Sequence, residues 1–104
     1  GEHGALLFSD NSFFVAPPYP QEGVVDPTGA GDSFAGGFMG YLAKTKDLCD
    51  ANIRRAAIIG SVMASFNIED FSLDRMRRLT QAEIVARFKE FQKFSAFEPL
   101  VHLI

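Results

Sequence analysis

Asp26-Pro27-Thr28-Gly29-Ala30-Gly31-Asp32-Ser33-Phe34 is the stretch on which the reading of this chain turns. Val24-Val25 end an extended run just before it. Pro27 fixes its own φ and pushes Asp26 into an extended conformation. Gly29 and Gly31 free the backbone where a side chain would obstruct a turn. An apolar helical run begins at Ser33, so the stretch reads as strand, glycine turn, helix. Such a junction leaves the first N–H groups of the helix unpaired at the positive end of its dipole, which makes a ready anion site. Asp32 stands at the same place, where its carboxylate should repel a bound phosphate. A carboxylate beside an anion pocket suggests proton acceptance during phosphoryl transfer. The plainer alternative is a carboxylate that only stabilises the helix N-terminus.

Two familiar phosphate motifs do not fit. The chain has no G-x-x-x-x-G-K-[ST], so the turn is not a Walker-type loop. Gly29-Ala30-Gly31 lacks the third small residue of the dinucleotide fingerprint, because Phe34 occupies that position.

Upstream, Ala5 to Ser9 reads as a strand, Asp10-Asn11-Ser12 as turn chemistry and Phe13 to Ala16 as a second extended run, together a β-hairpin. Pro17, Pro18 and Pro20 make the next segment a connector, and Gln21 to Asp26 returns to the sheet. Downstream, a helix is predicted from about Ser33 to Lys44, with Phe34, Phe38, Tyr41 and Leu42 on one side and Gly36, Gly40 and Ala43 on the other. Each interior glycine costs a helix roughly 1 kcal/mol relative to alanine. Gly36, Gly37 and Gly40 therefore imply a compensating close approach, either tight helix packing or a ligand.

Asp47 or Asp50 can cap a second helix, about Ala51 to Phe66. Ala56, Ala57, Gly60, Ser61 and Ala64 form its small-residue side; Ile59, Val62, Met63 and Phe66 form the other. Two such helices could pack closely or leave a flat slot for a planar base. Asn67 to Phe71 breaks the pattern, and Ser72 starts a short helical turn through Leu79. Thr80-Gln81-Ala82-Glu83 is a capping box opening a third helix to about Ser95, with Ile84, Phe88, Phe91 and Ser95 on one side. Pro99 stops it, and Leu100 to Ile104 is an apolar tail.

The totals exclude several classes. The 104 residues, 47% hydrophobic and 22% charged, describe one globular domain or part of one. A net charge of −3 offers no basic excess for a nucleic-acid surface. Cys49 is the single cysteine, so there is no disulfide framework and no cysteine zinc cluster, which fits a reducing cytoplasm. The longest apolar run, Phe34 to Ala43, is too short to span a bilayer. His3 and His102 are isolated, and Arg54, Arg55, Arg75, Arg77 and Arg78 read as solvated. The chain enters its first strand without an initiator methionine, as the interior of a longer protein would. Its eleven phenylalanines are a large apolar load for which a partner, or more of the same chain, is expected to provide cover.

Asp26 to Asp32, followed by Ser33-Phe34-Ala35-Gly36-Gly37-Phe38, closely resembles the second signature of the ribokinase-like (PfkB) carbohydrate kinases, commonly D-T-x-G-A-G-D. Pro27 stands where threonine is usual, a change that stiffens the turn. Gly1-x-x-Gly4 and the hairpin resemble the family's nucleotide-side segment, and the two small-faced helices resemble those that flank the adenine, which implies ATP-binding roles for Gly1, Gly4, Ala57, Gly60 and Ser61. The resemblance implies the C-terminal part of a three-layer α/β/α kinase fold covering residues 1–104. It also implies an ATP- and Mg2+-dependent phosphotransferase acting on a sugar or nucleoside hydroxyl.

Asp32 matches the catalytic base, and Gly29, Ala30 and Gly31 match the anion hole. Asp26 and the Thr28 carbonyl resemble ligands of the monovalent cation, K+, that many members use; an Asx turn is the alternative for Asp26. Further cation ligands would come from Met63 to Ile68, where Ser65-Phe66-Asn67-Ile68-Glu69-Asp70 replaces the usual glycine-containing loop.

The family's first glycine-rich signature has no counterpart here. The same is true of its acceptor-binding residues, its lid strands (through which members often form homodimers) and the acidic segment that places Mg2+. The isolated segment is accordingly expected to be inactive. A non-catalytic nucleotide- or phosphate-binding module is the alternative, and the acceptor, whether ribose, fructose, a keto-deoxy sugar acid or adenosine, is left open.

Overall fold

A computed structural model describes residues 4–10, 12–20, 29–69 and 78–103. Its elements in chain order are strands β1 (Ala5–Ser9) and β2 (Ser12–Ala16) and helices α1 (Ala30–Thr45), α2 (Asp50–Glu69) and α3 (Gln81–Phe94). The strands form an antiparallel hairpin with Ala5 opposite Ala16 and Phe8 opposite Phe13. Period-two alternation sorts its side chains. Ala5, Phe14 and Ala16 turn towards the core, while Leu6, Phe8, Phe13 and Val15 are exposed. The Ser9 and Ser12 hydroxyls meet across the turn at 2.8 Å.

Helix α2 is the centre of the packing. One side carries the core cluster of Ile58, Val62 and Phe66, which meets Ala16 of the hairpin and Phe91 of α3. The other side takes α1, its most extensive partner. Contact there depends on two glycines. A Cβ on Gly60 would lie 2.7 Å from the Phe34 carbonyl oxygen, and one on Gly37 would lie 2.9 Å from Met63 Cγ. Helix α1 thus meets α2 with the side that carries Phe34 and Phe38, whereas its small-residue side of Gly36, Gly40 and Ala43, on which close packing or a slot was expected, is exposed. Gly36 and Gly40 have open space where a Cβ would sit, so the close approach inferred for all three glycines of α1 holds for Gly37.

Helix α1 starts three residues ahead of the expected Ser33. Among the described residues of the glycine turn, Gly29 adopts the left-handed conformation (φ 84°) and Ala30-Gly31-Asp32 already form the first helical turn. The helix ends at Lys46, also left-handed (φ 55°), whose N–H reaches the Leu42 carbonyl. Asn52, buried, donates to Thr45 Oγ1 and to the Asp47 carbonyl, each at 2.8 Å, and so ties α2 to the connection. Asp47 accepts the Cys49 N–H at 2.9 Å, and Asp50 lies within the first turn of α2.

Helix α2 also runs past Phe66 to Glu69, so Asn67 does not break it. Its α1-facing stripe of Gly60 and Met63 continues at helical spacing to Asn67, and packing holds the extra turn. The capping box of α3 forms as read, with Thr80 Oγ1 accepting from Glu83 N–H and Glu83 accepting from Thr80 N–H, both at 3.2 Å. Ile84, Phe88 and Phe91 face the core, whereas Ser95 is exposed.

Arg87, which no sequence pattern singles out, lies between two rings, 3.7 Å from the Phe66 centroid and 4.3 Å from that of Tyr19. It donates to Ser65 Oγ at 3.1 Å. Tyr19 in turn donates to Glu90 at 2.8 Å, so the proline connector is fastened to both α2 and α3. The expected strand over 21–26 and the short helical turn over 72–77 lie outside the described residues, and Arg78-Leu79 are not helical. The tail of 96–103 is irregular, with Phe97, Leu100, Val101 and Leu103 exposed.

Candidate active site

Gly29 sets the geometry of the site. Its positive φ leads the chain into α1, a conformation that costs a Cβ-bearing residue strain. Its carbonyl accepts the first bond of the helix from Ser33 N–H at 2.9 Å. Helix N-termini ordinarily recruit the oxygen of a serine, threonine or aspartate N-cap for their leading N–H groups; the N-cap here is Gly29, which has no side chain to offer. Gly31 has open space where a Cβ would lie, and both Gly31 and Asp32 are exposed. The Asp32 carboxylate therefore sits in the first turn, on the exposed side of a helix start whose N-cap is glycine. Asp32, Gly36 and Gly40 follow one another at four-residue spacing, so the open face of α1 is smooth beyond the carboxylate. On the opposite side Phe34 and Phe38 stack at 6.1 Å and hold α1 onto α2.

Of the other sequence-derived candidates, Gly4 is left-handed (φ 86°), and a Cβ there would collide with the Ala16 carbonyl oxygen, so its glycine character is required by the hairpin itself. Ala57 is fully buried and Gly60 is packed beneath Phe34. Ser61 is half-buried and donates to the Ala57 carbonyl at 3.1 Å. Gly1, Asp26 and Thr28 lie outside the described residues. Among the described residues no group of three or more His, Cys, Asp or Glu comes together to hold a metal ion, and no helix is long and apolar enough to cross a membrane. A residue that sequence reading placed only among possible cation ligands, Asn67, sits over Gly29, its Nδ2 3.5 Å from the position a Gly29 Cβ would take. The signal was its place seven residues after Gly60 on the α1-facing stripe.

Residues 1–76 match the family described as pfkB family carbohydrate kinase, and the chain belongs to that family. Among curated proteins it is similar to a cytidine kinase of Thermococcus kodakarensis, with 48% identity over 50 residues covering 46% of this chain and 18% of that one. It is also similar to a nucleoside kinase of Methanocaldococcus jannaschii, with 33% identity over 69 residues covering 66% of this chain and 21% of that one. The crystal structure of a Methanocaldococcus jannaschii nucleoside kinase, described as an archaeal member of the ribokinase family, superposes with a TM-score of 0.66 at 28% identity. That match covers 86% of this chain and 28% of the other, and the fold is accordingly a part of the ribokinase-like α/β architecture. The chain spans about a fifth of the length of the curated relatives it matches.

Proposed function

We propose that this chain is the C-terminal, catalytic-base portion of a kinase that transfers the γ-phosphoryl group of ATP to a hydroxyl of a nucleoside or sugar. The observation that carries the reading is the start of α1, whose N-cap is a left-handed glycine, open beside Gly31 among the described residues, and bearing one exposed carboxylate, Asp32, in its first turn. In this reading the N–H groups of Gly29, Ala30 and Gly31 bind the migrating phosphoryl oxygens, whose charge they stabilise without reorganisation. Asp32 accepts the acceptor hydroxyl's proton late, as its oxygen bonds to phosphorus. Asp26 and the Thr28 carbonyl would hold a K+ ion, which would order the turn, and Mg2+ bound with ATP would supply neutralisation of phosphate charge. Gly1, Gly4 and Ser61 face the nucleotide, while Ala57 and Gly60 keep the helix pair closed behind it.

Acceptor-binding and lid elements belong to the remainder of a longer polypeptide, which we place in the cytoplasm as a homodimer. The names of the cytidine and nucleoside kinases above make nucleosides the first acceptors to try.

The rival reading is a nucleotide- or phosphate-binding module without chemistry. Asp32 argues against it, because a pure anion binder gains nothing from a carboxylate at the mouth of its pocket. The test is ADP release by the full-length protein with Mg2+-ATP and a panel of nucleosides and sugars. Acceptor-dependent release is expected, with none from residues 1–104 alone. ATP binding without transfer to any acceptor would favour the module, and turnover by the isolated segment would overturn the division of labour.

A further inference from the structure

Helix α1 ends at Thr45 and α2 begins at Asp50, so Lys46 to Cys49 must turn the chain between them. The reversal falls on Lys46, whose backbone is left-handed (φ 55°, ψ 32°). Among the described residues it is the one non-glycine residue with a positive φ. That conformation crowds Cβ against the following carbonyl oxygen, and lysine lacks the short polar side chain with which asparagine or aspartate offsets the crowding. The Lys46 N–H bond to the Leu42 carbonyl, at 2.8 Å, closes the helix end once the conformation is adopted.

Asn52, near the start of α2 and only 3% exposed, reaches back to both neighbours of Lys46. Its Nδ2 donates one hydrogen to Thr45 Oγ1 and the other to the Asp47 carbonyl, each at 2.8 Å. The orientation of the amide follows from these partners. Thr45 Oγ1 commits its own hydrogen to the Tyr41 carbonyl at 2.9 Å, and a carbonyl can only accept, so both require the nitrogen of Asn52 rather than its oxygen. The oxygen, Oδ1, accepts from Arg55 Nη1 at 3.3 Å. One nitrogen bonded to residues 45 and 47 spans Lys46 and restricts the path the backbone can take between them.

We infer that Asn52 is the positioning residue of the α1–α2 corner: by holding Thr45 and Asp47 on one buried nitrogen it keeps Lys46 left-handed, so the direction in which the chain leaves α1 is set from α2 and not by the preferences of the connecting residues. The inference concerns the corner itself and is independent of the reaction the whole protein performs.

The test measures hydrogen-exchange protection of the residue 46 N–H in the full-length protein, since that N–H bonds to Leu42 only while the corner is closed. Asn52→Leu keeps the size and removes both donors. Protection at residue 46 should fall about tenfold or more, as the loss of two hydrogen bonds would give, while Val62 in the core of α2 is unchanged. Adding Lys46→Gly to Asn52→Leu should return protection at residue 46 to within about threefold of wild type, because glycine enters the left-handed region unaided. A general loosening of the helix pair would not be repaired by that glycine. Equal protection at residue 46 in Asn52→Leu and wild type would overturn the inference, and so would a loss that glycine fails to restore. If Asn52→Leu unfolds the chain, shown by lost protection at Val62, Thr45→Val replaces it. That variant removes one of the two holds, and protection at residue 46 should fall about threefold; no fall would overturn the inference.

Discussion

Asp32 and the glycines around it illustrate how differently one residue type can be used within a short chain. Gly4 and Gly29 are needed for positive φ, Gly37 and Gly60 for contact between helices, and Gly31 for open space at the site. The sequence marks all of them identically, and only the three-dimensional neighbours separate the roles. Gly4→Ala combines a left-handed strain with a collision against the Ala16 carbonyl, two costs that usually total about 1–3 kcal/mol or more. In the full-length protein its unfolding midpoint should fall accordingly, while Gly36→Ala, directed into open space, should leave stability unchanged or slightly raised. Gly60→Ala tests the helix contact. Its methyl meets the Phe34 carbonyl and ring, so α1 must move off α2, at a cost of about 1–3 kcal/mol in denaturant unfolding. Because the proposed anion site lies at the start of α1, this substitution should impair turnover even at temperatures where the protein remains folded.

At the scale of elements, the connection between α1 and α2 has a built-in acid sensitivity. The Cys49 backbone N–H, then its side chain, and more weakly Arg55 hold the Asp47 carboxyl below its ordinary range, burial opposing them slightly. A carboxylate depressed in the folded state contributes stability above its unfolded pKa and loses it as pH falls through the folded value. Asp47→Asn should thus destabilise the protein at neutral pH, and the difference from wild type should shrink as pH drops below about 4. Chemical denaturation across that range checks both the sign and the window.

Elements defined by local chemistry were legible beforehand: the hairpin from its alternation and turn residues, and α3 from Thr80 and Glu83. Those defined by contact were not. Gly31 looked like part of a turn because its freedom is visible in sequence, whereas its place inside the first turn of α1 depends on Gly29 taking the whole reversal. Asn67 looked like a breaker because it is polar, whereas α2 carries it within the helix, on the side that faces the start of α1. The cation ligands expected at Asp26 and Thr28 fall outside the described residues, and the K+ role for them stands as a proposal.

On the scale of the whole molecule, the described shape is long and thin, 51 × 34 × 24 Å, with a core confined to α2 and what lies against its hairpin and α3 side. Phe8 and Phe13 pair across the strands at 6.3 Å on a face that is exposed in this chain. That exposure agrees with the expectation that so many phenylalanines need further cover, and with a chain spanning about a fifth of its relatives. The family was readable because one contiguous motif carries it. The acceptor was not, because Asp32, the residue of the motif proposed to meet it, would meet only a hydroxyl, which sugars and nucleosides share. The central claim is that Asp32 takes the acceptor's proton at the mouth of the α1 anion site. It is tested most directly by Asp32→Asn in the full-length protein, with ATP affinity and acceptor phosphorylation measured side by side. The account predicts near-wild-type nucleotide binding and a fall in turnover of about 10²–10⁴-fold, the range general base catalysis supplies; turnover at the wild-type rate would contradict it.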